Sequence, residues 1–182
     1  MMTFSHETYI CLDIPEPQAQ WILDIRRQQK DEFRAALPAE ITVAGSSGVG
    51  VIRADQQPDL VFSIIEQIAA QTAPIRACFR SVIRFPRTDI FVLTLEDEAP
   101  LRSLHQRIIT SAISFETNRF PFQPHCTLRS HSPVSPEDAA HLLSLSPSNL
   151  GSFTLDTLSV YTLEHLPMTL RYRTKLTGVD SL

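Results

Sequence analysis

The chain has little cysteine, no long apolar run and no excess of positive charge, and each shortage removes a class of function. Cys11, Cys78 and Cys126 are too few, too scattered and odd in number to frame a disulfide scaffold or a zinc site. Each lies in an apolar, strand-like run where free cysteine serves as a small core residue, so a reducing, cytoplasmic setting is expected. No apolar stretch approaches the roughly 18 residues of a membrane span, and the polar amino terminus lacks a signal-peptide core. Neither a span nor a leader is expected. A net charge of −4 excludes a uniformly basic nucleic-acid surface, so any binding of nucleotides or RNA ends must rely on a local arginine cluster. Low-complexity segments and strong internal repeats are also missing. What is present is ordinary for a globular chain: 182 residues, 43% apolar and 20% charged. That is enough for one domain with a sizeable core, or two small lobes sharing one.

Strand and helix patterns alternate along the whole length. Residues 9–14 read as a strand, halted by Pro15-Glu16-Pro17, which also opens a helix. That helix is predicted to run to about Leu37, with Trp21 or Ile22, Ile25, Phe33 and Leu37 inward and Arg26, Arg27, Lys30 and Asp31 on the wet side. A strand over 40–44 leads into the turn-rich Gly45-Ser46-Ser47-Gly48-Val49-Gly50, and a second helix starts near Pro58. Residues 75–85 and 89–95 read as a strand pair, and a third helix begins near 97–100. Ser135-Pro136-Glu137-Asp138 caps a fourth helix. Strands over 152–164 and 168–177 close the chain. Short connections between strands favour antiparallel pairing, with helices on the outer faces; the expected class is α+β with mixed or antiparallel sheets.

One segment concentrates the chemistry: Phe120-Pro121-Phe122-Gln123-Pro124-His125-Cys126-Thr127-Leu128. As a strand it points His125 and Thr127 to one face and Cys126 and Leu128 to the other. Pro124 suits the strand start. Glu40-Ile41-Thr42-Val43, 85 positions earlier (125 − 40), repeats the frame with a glutamate in place of the histidine. His6-Glu7-Thr8 has the same letters but precedes the first strand, and the Gly45–Gly50 loop lacks the lysine and spacing of a P-loop.

The paired frame and the order of elements resemble the two-histidine phosphoesterase superfamily, which includes bacterial RNA 2′,3′-cyclic phosphodiesterases (historically 2′-5′ RNA ligases) and plant-type cyclic phosphodiesterases. The resemblance implies one two-lobed domain over residues 1–182, with sheets facing a central groove and each lobe giving one motif strand. It implies a site of His125, Thr127 and Thr42, with Glu40 where the first histidine belongs, and neither metal nor cofactor. The family often carries an arginine one position beyond Arg129.

Opening a cyclic phosphodiester needs one group to take a proton from water and another to give one to the leaving ribose oxygen, while hydroxyls hold the non-bridging oxygens. Thr42 and Thr127 are the expected clamps. Glu40 is the expected base and a protonated His125 the acid, since a neighbouring carboxylate favours imidazolium. A carboxylate ~5 Å from a phosphate costs roughly 3 kcal/mol at an effective dielectric of ~20, so weakened activity, an altered substrate or binding without turnover follows. Cationic support is expected from Arg129, Arg80 and Arg84, and base stacking from Tyr172, with Phe120 and Phe122 as stackers or core plugs. The expected partner is a nucleotide or RNA terminus bearing a cyclic phosphate, bound by a monomer. The rival reading is a silent nucleotide or RNA-end binding module on the same fold.

Overall fold

The computed structural model describes residues 3–179. Among them, eight strands form two four-stranded antiparallel sheets, ordered β2-β1-β7-β8 and β5-β4-β3-β6. The strands are β1 (Glu7–Asp13), β2 (Glu40–Ala44), β3 (Ile75–Arg84), β4 (Phe91–Leu95), β5 (Cys126–Arg129), β6 (Ser152–Leu155), β7 (Thr157–Leu163) and β8 (Thr169–Lys175). The helices are α1 (Gln18–Gln28), α2 (Glu32–Ala35), α3 (Pro58–Ala70), α4 (Ala99–Ile109) and α5 (Pro136–Ser144), with a 3₁₀ turn over Pro147–Leu150. The expected α+β class with two lobes, antiparallel sheets and outer helices is what the chain forms. Ile10, Leu12, Ile41, Val43, Leu158 and Val160 line one face of the first sheet and join Phe79, Phe91, Leu93 and Leu128 of the second in a continuous core. No helix among the described residues is long and apolar enough to cross a membrane.

Three local outcomes depart from the sequence pattern. The single helix expected up to Leu37 breaks at Lys30, which takes φ 53°, and restarts at α2. The break succeeds because Asp31 caps the new helix: its Oδ1 accepts the Arg34 N–H at 3.0 Å. After the break Phe33 faces solvent, 41% exposed, instead of the core. The second correction concerns Arg26 and Asp31, expected to be wet; both are buried. The third is the long strand expected over 152–164. It is two strands in different sheets: β6 pairs with β3, and after Asp156 the chain enters the other sheet as β7 beside β1. Asp156 holds that crossing, its carbonyl accepting the Leu176 N–H at 2.8 Å and its carboxylate meeting Lys175 at 2.8 Å.

Candidate functional site

Strands β2 and β5 bring their polar faces to one cavity of about 410 Å³, lined by Glu40 and Thr42 on one side and His125 and Thr127 on the other. Alternation explains this at β5: Cys126 and Leu128 are fully buried while His125 and Thr127 face the opening. Phe85, Pro86, Thr88 and Ile90 of the β3–β4 hairpin add a largely apolar wall, and Phe120, 56% exposed, stands at the rim. Ser46 and Ser47 of the glycine-rich loop also line it. That loop is folded back by Gly48, whose φ of +75° and N–H bond to the Phe120 carbonyl at 2.8 Å leave no room for a side chain beside His105.

His125 is oriented by its own chain. Its Nδ1 lies 2.7 Å from the Gln123 carbonyl, and only a protonated nitrogen satisfies that contact. The ring stands edge-on to Phe85 at 5.2 Å. Burial pulls the imidazole below its ordinary value of 6.5; the Gln123 carbonyl and the Glu40 charge oppose this, and Arg34 adds to it. The Glu40 carboxylate favours the charged ring, as expected, but burial is the larger influence and runs against it. With Nδ1 carrying the proton, Nε2 of the neutral ring is left with a lone pair. Opposite, Thr42 donates its hydroxyl proton to Glu40 Oε2 at 2.9 Å. Cys11 and Cys126 lie behind this wall; burial pushes the Cys11 thiol well up and the Cys126 thiol up to about 11, so neither is a ready nucleophile.

The expected supporting residues fare differently. Arg129 turns away from His125 because β5 bulges: Thr127 pairs with Val92 and Arg129 with Phe91, so Leu128 is an extra residue and the alternation fails. The residue is 3% exposed, and its guanidinium donates instead to the Gln29 and Pro133 carbonyls, each at 2.9 Å. Arg80 reaches the Glu96 carbonyl at 3.0 Å, and Arg84 closes the hairpin by donating to the Thr88 carbonyl and Asp89; neither lines the cavity. Tyr172 faces α3, stacked on Phe62 with ring centroids 4.8 Å apart. Phe122 stacks on His105 at 3.8 Å, a packing role. Thr8 of the decoy motif is buried against Thr162.

Arg34, which no spacing in the sequence singled out, lines the cavity from α2, its Nε donating to Ser130 Oγ at 2.9 Å. The only hint was Asp31, a cap residue three positions before it. Behind the site, Arg26 ties the two motif strands together. Its Nε and Nη2 donate to the Thr127 carbonyl at 3.0 and 2.8 Å, and its Nη1 donates to the carbonyls of Leu37 and Pro38 at 3.0 Å each. No group of three or more His, Cys, Asp or Glu among the described residues is arranged to hold a metal ion.

A family model described as the 2'-5' RNA ligase superfamily matches residues 9–165. Solved structures share the fold at low identity. TT0787 of Thermus thermophilus aligns over 96% of this chain and 100% of its own, at 13% identity and a TM-score of 0.64. LigT of E. coli complexed with 3'-AMP aligns over 95% and 99%, at 15% identity and 0.58. The same protein complexed with phosphate aligns over 98% and 100%, at 13% identity and 0.58. A search of curated proteins finds no match.

Proposed function

Since the chain belongs to the 2'-5' RNA ligase superfamily, we propose that it is a phosphoesterase opening the 2′,3′-cyclic phosphate of a nucleotide or RNA end. The observation that carries this is the His125 ring, its Nδ1 committed to the Gln123 carbonyl, lining one cavity with Thr127, Thr42 and Glu40. In the proposed reaction Nε2 takes a proton from water as the water oxygen bonds to phosphorus. The P–O bond to one ribose oxygen breaks, and Thr127 donates to a non-bridging oxygen as charge shifts onto it. The leaving oxygen takes its proton from solvent, because position 40 carries no imidazole to supply one. That missing donor makes turnover slow.

The chain works in this reading as one two-lobed unit, monomeric and cytoplasmic, without a metal. LigT of E. coli has been seen with 3'-AMP and with phosphate, and ligands of that class suit the present cavity. The test is incubation with nucleoside 2′,3′-cyclic phosphates, with and without EDTA. Turnover should be insensitive to EDTA and fall at least a hundredfold in His125→Ala; a His125→Ala protein running at the wild-type rate removes the mechanism.

One observation favours a second reading, a binding module without turnover. The Thr42 hydroxyl is already committed to Glu40, so one expected phosphate clamp is occupied. Nucleotide binding with no hydrolysis over prolonged incubation would select it.

A further inference from the structure

Arg34 carries a charge that no ion pair among the described residues neutralises, although the Glu40 and Asp31 charges favour it from further off. Its Nε is taken by Ser130 Oγ at 2.9 Å, but among the described residues no carboxylate forms an ion pair with it and no acceptor takes its terminal nitrogens. Of the other arginines near the site, Arg26 and Arg129 donate to carbonyls, Arg84 to Asp89 and Arg102 to Glu98, while Arg87 and Arg119, which flank the lining residues Pro86 and Phe120, do not themselves line the cavity. The segment bearing Arg34 is also held in place. Asp31 caps α2 with one oxygen and accepts the Ser130 N–H with the other at 2.7 Å, so α2 is pinned to the end of β5. A fixed guanidinium with free N–H groups, beside a hydroxyl-lined and partly apolar cavity, has the geometry of an oxyanion receptor.

We propose that Arg34 is the oxyanion-binding group of this cavity, its terminal N–H pair taking two oxygens of a phosphate ester side by side. This rests on the phosphoester reading above and supplies what that reading lacks, a cation that makes an anion acceptable next to Glu40. A guanidinium cannot hand over a proton, so it replaces the charge of the missing imidazole without its acidity.

Isothermal titration of inorganic phosphate, adenosine 2′-monophosphate and adenosine into wild type, Arg34→Gln and Arg34→Lys tests the proposal. Wild type should bind the monophosphate at least tenfold more tightly than adenosine, by a margin that shrinks as sodium chloride is raised. Arg34→Gln should erase the margin, and Arg34→Lys should keep only part of it, a point charge lacking the fork. A margin unchanged in both variants overturns the role of Arg34 while leaving the phosphoester reading intact. No preference for phosphate in wild type overturns both. If Arg34→Gln fails to fold, Arg34→Lys and the wild-type salt dependence decide: a full margin in the lysine variant, or one indifferent to salt, overturns the assignment.

Discussion

His125 acts through which of its nitrogens is committed. With Nδ1 bonded to the Gln123 carbonyl and burial disfavouring the charged ring, its expected service is as base. The sign of the pH dependence follows. The active form is unprotonated and the imidazole sits below 6.5, so kcat/KM on a 2′,3′-cyclic nucleotide should be level from pH 7 upward and fall as pH drops through a midpoint below 6.5. A rate that climbs as His125 protonates would make it the acid and reverse the assignment. Glu40→His adds the absent proton donor and removes the competitor for the Thr42 hydroxyl. It should raise kcat/KM by about 10²-fold and add a second, alkaline limb to the profile. At this scale the sequence was legible where a two-residue period decided direction, as for His125, Thr127 and Thr42. It misled at Arg129, because no single-residue pattern announces the bulge at Leu128. It was silent on Arg34, which arrives from a one-turn helix and not from a strand.

Between elements, the decisive group is Arg26. It is 1% exposed, and its donors are consumed by carbonyls on β5 and on the approach to β2, so it sets the spacing of the two cavity walls. Arg26→Met would leave several buried carbonyls without donors, and urea denaturation should record a loss of about 3 kcal/mol or more. Periodicity counted this arginine as a wet residue because helical spacing sees polarity and not the carbonyls that later close around it. Asp31 is the companion case. Burial disfavours its charge, yet the N–H groups of Arg34 and Ser130 and the His131 side chain hold its carboxyl below the usual 3.8. A depressed carboxyl contributes stability that is complete above the unfolded value and lost as pH falls through the folded one. Asp31→Asn should therefore cost about 1–2 kcal/mol at pH 7 and flatten the stability profile below pH 4; an unchanged profile would show the cap is not ionised in the fold.

For the molecule as a whole, the α+β alternation and the antiparallel pairing could be read from turn chemistry and short connections. The assignment of strands to sheets could not, since the crossing at Asp156 occurs within a run that looks continuous. That crossing has a functional consequence. Each sheet supplies one wall, β2 from the first and β5 from the second, over a shared core. A ligand that touches both walls binds only the docked pair, so its binding energy is added to the docking of the sheets. At a concentration 100 times its Kd, a phosphate ester should add about 2.7 kcal/mol to unfolding, which for a chain of this size is a rise in Tm of roughly 5–10 °C. The melt should stay a single transition that moves as one. If two transitions separate and only one moves with ligand, the ligand rests on a single wall, and Glu40 and His125 do not serve the same anion.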